Sequence, residues 1–133
     1  MVVTYRANGS AHASVVNAGV VEHPVSGEHV VGFVVQGRQR TKLANLRRRP
    51  VATVVFRSGW DWLAIEGDVE LLGPDNEGCV PWPEAAPVFH TIYAEAIGGS
   101  IEDWAAGDPV IERDGHAAVL IRPAKVYGNT RHP

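Results

Sequence analysis

The stretch VATVVFRSGWDWLAIEGDVELL (residues 51–72) determines the fold class, because both of its halves have the character of β-strands. Val51 to Arg57 is rich in β-branched and aromatic residues, and Ser58-Gly59 separates it from the second run, Trp60 to Leu72. Within that second run the odd positions from Leu63 to Leu71 are apolar or glycine. A period of two predicts a strand with one buried face and one wet face.

Strand patterns continue on both sides of this pair. Three apolar runs precede it and predict a three-stranded meander, and a final strand pair, kinked at Pro123, is expected near the end of the chain. The three early runs are Val2 to Tyr5, Ala13 to Val21 and His29 to Val35, and the final pair is His116 to Ile121 and Ala124 to Tyr127.

Helical signals are fewer. Good helix formers predict a short helix between Arg40 and Arg49, which Pro50 must end. Apolar spacing predicts another over Val88 to Ile97, and Ser100 is expected to cap a third. The proline-rich segment 73–87 is expected to be a surface loop. Six or seven strands with two or three short helices predict a mainly β (α+β) fold in which the sheet closes into a small barrel.

Length and composition favour one globular domain over residues 1–133. Hydrophobic residues make up 45% of the chain and charged residues 20%, which excludes a disordered chain. No apolar run approaches the roughly 18 residues of a membrane helix, and the signal-peptide pattern is missing. The single cysteine, Cys79, excludes an internal disulfide, and this composition predicts a reducing, cytoplasmic location with no membrane partner.

The net charge of −3 hides an uneven distribution. Seven bases and no acid lie between His29 and Trp60, whereas thirteen acids and one base, Arg113, lie between Asp61 and Asp114. The sequence pI of about 6.0 argues against a nucleic-acid partner, because dedicated duplex-DNA-binding domains are basic. The pattern favours a small anion bound at one place on the chain.

The segment from Gly37 to Pro50 is the best candidate for that anion. A strand ends at Val35, a glycine follows, and a helix begins a few residues later. The first turn of a helix offers unpaired N–H groups and the positive end of the dipole, and Arg40 and Lys42 could neutralise a phosphate there. A solvated turn is equally typical of such a segment. Arg47 to Arg49 lie at the helix C-terminus, where bases usually offset the dipole.

Other polar residues form no recognisable catalytic or metal motif. The six histidines (residues 12, 23, 29, 90, 116 and 132) lack metal-ligand spacing, and Ser14 lacks the surroundings of a nucleophile elbow. Glu66, Asp68 and Glu70 alternate along one strand face, as on a wet face. Trp60 and Trp62 share that face, which suits a cleft or a subunit contact. We therefore expect neither a dedicated catalytic acid or base nor a metal site.

Taken together, these segments resemble the split β-barrel flavin and deazaflavin oxidoreductases, the superfamily of pyridoxamine 5′-phosphate oxidase. The resemblance is narrower to the actinobacterial branch that uses coenzyme F420. The Arg-x-Lys-x-x-Asn-Leu-Arg-Arg core of residues 40–48 is the most specific motif. Other segments that match are Tyr5 to Ser14, Gly59-Trp60 with Ala64 to Gly67, Tyr93 to Trp104, and Arg122 to Gly128.

The resemblance implies a homodimer with the cofactor groove at the subunit interface. It implies that Arg40 and Lys42 hold the cofactor phosphate and that Asn45 lies beside it. The strand end formed by Val35, Gln36 and Gly37 would run along the ring system. Ser14 would contact the ring or the ribityl chain, and Trp60 would approach from the same or the second subunit.

The implied function is an F420-dependent oxidoreductase that transfers hydride between the reduced cofactor and a small organic substrate. F420 carries a phosphodiester and a glutamate tail, so the basic segment suits it better than FMN, which ends in one phosphate. Three alternatives stay open at this point. They are an FMN-dependent enzyme of the pyridoxamine-phosphate-oxidase type, a non-catalytic carrier of flavin, F420 or haem, and a single-strand RNA binder that stacks bases on Trp60 and Trp62.

Overall fold

A computed structural model describes residues 1–129, which form one seven-stranded antiparallel sheet and four helices. The terminal His132 lies outside the described residues. The helices are α1 (Arg40–Arg48), α2 (Ala86–Ala96), α3 (Ile101–Ala105) and α4 (Asp108–Asp114). The strands are β1 (Val2–Tyr5), β2 (Ala11–Ser14), β3 (Ala18–Glu22), β4 (His29–Val35), β5 (Val51–Ser58), β6 (Asp61–Leu72) and β7 (Ala117–Gly128).

The strand order β2-β1-β5-β6-β7-β4-β3 places β2 and β3 at opposite edges of the sheet. Only residues 15–17 connect these two edges. Because the four steps from Ser14 to Ala18 span at most about 14 Å, the sheet must curl until its edges approach each other. The predicted barrel is therefore confirmed, with its opening between β2 and β3.

The predicted three-stranded meander is wrong. The apolar run from Ala13 to Val21 is divided between β2 and β3, so the first 35 residues form two separate hairpins. Val15 is 87% exposed in the connection, although its side chain suits a strand. Apolar composition alone does not show where a chain leaves one sheet edge for the other.

The predicted pair at the C-terminal end is one long strand, β7, instead of two. Opposite Pro123, which has no N–H to donate, the pairing of β6 with β7 shifts register between Glu66 and Gly67. A side chain at Gly67 would overlap the carbonyl oxygen of Arg122, so the two backbones approach closely at this shift. This register shift lets both long strands follow the curvature of the sheet without interruption.

Two apolar clusters lie on the two sides of β4 and β7. The barrel interior contains Phe33, Val119 and Ile65, together with Leu43 and Leu46 from α1. The predicted buried face of β6 is confirmed by Ile65 and by its neighbours Leu63, Val69 and Leu71, which pack against this interior cluster. The second cluster joins the sheet to α2 and α4 through Val30, Leu120, Phe89, Ile92 and Ile111.

The helices largely follow their sequence signals, except for α4, which the sequence analysis missed. Ser100 caps α3 as predicted, since its Oγ accepts a hydrogen bond from the backbone N–H of Asp103 at 3.1 Å. α4 begins with Asp108-Pro109, and the Asp108 carboxylate lies 2.6 Å from Nε2 of His90 on α2. This contact, and not helix periodicity, positions the seven-residue α4.

Candidate functional site

α1 connects β4 to β5, two strands that are not neighbours in the sheet. Its buried face contains Lys42, Leu43, Asn45 and Leu46, and the two leucines enter the barrel core. The first turn has no acidic residue and no side-chain cap, so its N–H groups stay available for a ligand. A helix with a buried lysine and an uncapped positive end is suited to bind an anion.

Lys42 is the most unusual residue of this helix. It is only 5% exposed, yet no other group in residues 1–129 forms a hydrogen bond or an ion pair with its ammonium. Burial lowers the pKa of Lys42, because the charged form loses solvation without gaining a partner. Lysine is rarely buried unless it is paired, so this position calls for an anion.

Unsatisfied polar atoms lie on the core-facing side of α1 and of the β1–β2 hairpin. Asn45 Nδ2 and Ser14 Oγ are both buried and have no hydrogen-bond partner. In the hairpin, Val2 pairs with Ser14 and Thr4 pairs with His12, so these four side chains share one sheet face. Val2 belongs to the cluster that contains the α1 leucines, so this face is the one that α1 covers.

Thr4 and His12 are two candidates that sequence reasoning missed. Thr4 Oγ1 and His12 Nδ1 are also buried without a partner. Nothing in the sequence distinguishes them, because their shared face with Ser14 depends on the hairpin register. Buried polar atoms normally find partners, so three of them on one face of the hairpin and a fourth on the buried face of α1 indicate a place for a polar ligand.

Arg40 points to the other side of α1. Two residues correspond to about 200° around a helix, and Arg40 is exposed whereas Lys42 is buried. Arg40 lines a cavity of about 590 Å³ together with the predicted Gln36 and Gly37. The side chain of Val35 is buried in the barrel core, so only its backbone could contact a ligand. Arg40, Gln36 and Gly37 thus line one cavity, whereas Lys42 and Asn45 lie on the buried face of α1.

His116 lines the same cavity as Arg40 and was not singled out by the sequence. Its Nδ1 accepts a hydrogen bond from the backbone N–H of Gly37 at 3.1 Å. Burial lowers the pKa of His116, and the nearby charge of Asp114 only partly opposes this. The ring is therefore neutral at pH 7, with its proton on Nε2.

The three arginines at the C-terminal end of α1 each contact another side chain of the protein. Arg47 donates to Asn76 Oδ1 through Nε and Nη2 at 3.1 and 3.0 Å, and Arg48 donates to Asn45 Oδ1 at 3.1 Å. The Arg49 guanidinium lies 4.5 Å from the ring centre of Tyr5. These contacts agree with a structural role at the helix end.

Trp60 lies in the β5–β6 turn and is 91% exposed. β5 begins just after α1 and runs eight residues away from it, about 26 Å of strand. Trp60 therefore lies at the opposite end of β5 from the C-terminal end of α1.

One group of metal-type side chains does meet in space. His23, Glu70 and Cys79 bring potential ligand atoms within 4.8 Å of one another, although they are far apart in sequence. Glu70 Oε1 lies 2.9 Å from His23 Nε2, and Glu70 Oε2 accepts the backbone N–H of Cys79 at 3.1 Å. Sequence spacing could not have revealed this cluster.

The hydrogen bonds of His23 indicate that this cluster has a structural role and does not bind a metal ion. Its Nδ1 accepts backbone N–H bonds from Val25 and Ser26, both at 3.2 Å, so Nε2 carries the ring proton and donates it to Glu70. A metal ion bound at Nε2 would require the ring proton to lie on Nδ1, where it would oppose the backbone N–H groups of Val25 and Ser26. Burial favours a raised pKa for Glu70, but hydrogen bonds from Cys79 and His23 outweigh it and lower the pKa. Burial, then Glu70, raises the Cys79 pKa to about 11, so the thiol is no nucleophile.

Comparison with known proteins identifies the fold. No protein-family model matches the chain, and no curated protein matches it significantly. Among solved structures, the conserved hypothetical protein Rv2991 from Mycobacterium tuberculosis matches with a TM-score of 0.67 at 16% identity, over 96% of this chain and 73% of that one. A pyridoxamine 5′-phosphate oxidase-related, FMN-binding protein from Nostoc punctiforme matches with a TM-score of 0.62 at 14% identity, over 96% and 71%.

The fold is that of the FMN-binding split barrels. Atu2129 from Agrobacterium tumefaciens, a protein of unknown function, shares it with a TM-score of 0.63 at 14% identity, over 96% of this chain and about half (49%) of that one. Identities this low show the architecture alone. No helix within residues 1–129 is both long enough and apolar enough to cross a membrane.

Proposed function

We propose that this protein binds a phosphate-bearing deazaflavin or flavin on the core-facing side of α1 and uses it as an oxidoreductase. Coenzyme F420 is our first candidate and FMN the second. The observation that carries the proposal is the buried Lys42, which has no side-chain partner within residues 1–129 and shares the buried face of α1 with the unsatisfied Asn45 Nδ2. Ser14 Oγ on the β1–β2 hairpin is likewise unsatisfied. The resemblance assigns a cofactor contact to each of these three residues.

An anionic ligand would stabilise the charged form of Lys42 and provide hydrogen-bond partners for the unsatisfied polar atoms. Burial removes part of the hydration of the Lys42 ammonium and lowers its pKa, whereas a phosphate oxygen would pair with it and favour its charged form. Asn45 Nδ2 can donate to the same group. Ser14, Thr4 and His12 can hydrogen-bond the polar body of a cofactor along the hairpin. The residues present therefore fit a phosphate-bearing, partly polar cofactor.

The protein's own part in the reaction would be binding and orientation. A bound flavin or deazaflavin supplies the hydride chemistry itself. Lys42 and Asn45 fix the phosphate end, and Ser14 orients the molecule along β2. The expected lack of a dedicated catalytic acid or base stays a prediction, and hydride transfer does not require one.

The charge distribution favours F420 over FMN. The segment from His29 to Trp60 has seven bases and no acid. F420 carries carboxylates beyond its phosphodiester, so it gains more from this local field than FMN does. Two of the bases, Arg38 and Arg40, lie in the loop that leads into α1 and at its start, where an extended acidic tail can approach them.

A homodimer would complete the site. Trp60 is almost fully exposed, and Trp62 and Tyr127 stack edge to face beside it at the same end of the sheet, with ring centres 6.1 Å apart. In a dimer this aromatic end of one subunit can cover the α1 side of the other. We expect sedimentation equilibrium at micromolar concentration to give a dimer. A monomer under those conditions would contradict the shared groove.

Turnover separates an enzyme from a carrier. We expect reduced F420 to be reoxidised by some members of a panel of small electrophiles, such as quinones and enones, with the protein in catalytic amounts. The readout is the return of the oxidised deazaflavin absorbance. Tight binding without turnover across the panel would instead support the carrier alternative.

A further inference from the structure

A groove lies between the edge strand β3 and one side of α2. It is a cavity of about 630 Å³ formed by β3, the β3–β4 turn and the α2 residues Val88, Thr91 and Glu95. Because these three residues are spaced at i, i+3 and i+7, they form one stripe along the helix. The groove lies at the beginning of β4, whereas α1 follows the end of that strand. It therefore has a strand as one wall and a helix as the other, and it is separate from the proposed cofactor site.

The outer edge of β3 has unpaired backbone groups. β3 pairs with β4 and with no other strand of residues 1–129. Just beyond β3, the N–H of His23 donates to the carbonyl oxygen of Glu28 on the other side of the hairpin at 2.7 Å. Bonded and non-bonded pairs alternate along an antiparallel ladder, so Val21 is bonded to β4, whereas Val20 and Glu22 direct their N–H and C=O groups outward. An added strand could pair with these groups.

β3 lacks the features that normally prevent pairing at a sheet edge. It contains neither lysine nor proline, and its pairing with β4 has no register shift. Val20, at its centre, is 52% exposed. A regular edge with an exposed apolar residue at its centre is suited to the addition of a strand.

The His23 cluster holds the β3–β4 turn in place. Nδ1 of His23 accepts the N–H groups of Val25 and Ser26, and its Nε2 donates to Glu70 on β6. The N–H of Gly27, which has a φ of +73°, donates to the carbonyl oxygen of His23 at 2.9 Å. This end of the groove is therefore formed before a ligand arrives, which lowers the entropic cost of binding.

The charge of the groove indicates the chemistry of its ligand. Glu22 and Glu95 line it, and neither carboxylate has a hydrogen bond or an ion pair within residues 1–129. No lysine or arginine lines it, and valines and prolines from both walls form much of its remaining surface. A lysine or arginine side chain complements such a surface, because its aliphatic stem can cover the valines while its charged end reaches a carboxylate.

We propose that this groove binds an extended, basic segment of a partner protein, which adds to β3 as a further antiparallel or parallel strand. Its backbone pairs with the outward groups of Val20 and Glu22. Successive residues of a strand point to opposite faces, so every second side chain enters the space between β3 and α2, where a basic one meets Glu95. The proposal does not depend on the cofactor, since it uses no residue of α1 or of the β1–β2 hairpin.

Amide hydrogen exchange of the intact protein, followed by NMR, tests this strand addition with the synthetic peptide acetyl-VKVKVK-amide. We expect saturable binding that slows exchange at the Val20 and Glu22 amides and leaves the Val21 amide unchanged, because Val21 already donates to β4. The same peptide methylated at every backbone nitrogen retains its charges but has no N–H donors, so it should not bind. Acetyl-VEVEVE-amide, with the opposite charge, should bind at least about tenfold more weakly.

Two variants separate the contributions of charge and backbone. Glu95→Lys should weaken binding of the basic peptide at least about tenfold, because repulsion replaces attraction. Glu112→Lys, the same charge reversal at an exposed position of α4 outside the groove, should have little effect. Val20→Pro removes an outward N–H without removing a hydrogen bond to β4, and it should abolish the protection of the Glu22 amide.

Three results would overturn the proposal. The first is unchanged exchange at Val20 and Glu22 when the basic peptide is present. The second is equal binding of the methylated or the acidic peptide, since the ligand would then need neither the strand edge nor its charge. The third is protection of these two amides that rises with the concentration of the protein alone, because a second copy of the chain would then occupy the edge.

Discussion

Replacement of Lys42 by methionine is expected to abolish cofactor binding and, at the same time, to stabilise the ligand-free protein. Methionine fills a similar volume without a charge, so the buried face of α1 stays packed. Loss of the buried partner of a phosphate should weaken binding by about 100-fold or more. Removal of a charge that burial partly desolvates should raise the free energy of unfolding by up to about 1 kcal/mol.

The stabilising part of this effect should depend on pH with a defined sign. Burial lowers the pKa of Lys42 in the folded state below its value of 10.5 in the unfolded chain. The destabilisation by Lys42 is therefore complete below the folded-state pKa and vanishes above 10.5. The stability gain of Lys42→Met should be largest at neutral pH and should shrink as the pH rises toward 10.5.

Lys125→Met is the matched control. It makes the same chemical change at the only other lysine, which is exposed on β7. We expect thermal or urea unfolding and cofactor titration to show little change for this variant. A Lys42→Met protein that is destabilised, or one that still binds cofactor like the wild type, would contradict the assignment of Lys42.

Substitution of Gly37 by alanine is expected to destabilise the fold and to disturb the cavity at the start of α1. The new Cβ would overlap the carbonyl oxygen of Asp114, so the β4–α1 loop must move away from α4. Such overpacking costs about 1–3 kcal/mol, which lowers the thermal midpoint by roughly 4–12 °C. The hydrogen bond from the Gly37 N–H to His116 Nδ1 would be lost with it.

Gly107→Ala provides the control for this glycine. Gly107 has an ordinary φ of −86°, and the nearest atom to an added Cβ would lie 3.3 Å away. We expect its thermal midpoint to change by only a small fraction of the Gly37→Ala shift. If calorimetry gave Gly37→Ala the wild-type midpoint, the close packing of the loop on α4 would be refuted.

Much of the fold could be predicted because its signals are local. The β5–β6 pair follows from alternation, α1 from its composition and Pro50, and the cap of α3 from Ser100. The division of Ala13 to Val21 could not be predicted, since both resulting strands have strand-like composition. α4 was missed because a contact with another helix positions it, and its seven residues are too few for a clear periodicity.

The candidate site shows the same limit. Sequence identified Arg40, Lys42 and Asn45 at a basic helix start, and the shared role of Arg40 and Lys42 at one phosphate stays a prediction. The structure adds that Arg40 is exposed and that Lys42 is buried. Thr4 and His12 became candidates because of the hairpin register, and His116 became one because of its hydrogen bond with Gly37. These are long-range relations that no local pattern encodes.

The most direct test of the central claim is an equilibrium titration of the purified protein with F420 and with FMN, followed by fluorescence and absorbance. The account predicts saturable binding of F420 at about micromolar concentration, weaker binding of FMN, and loss of both in Lys42→Met. Binding of neither cofactor, or equal binding by wild type and Lys42→Met, would show that the buried side of α1 is not a cofactor site.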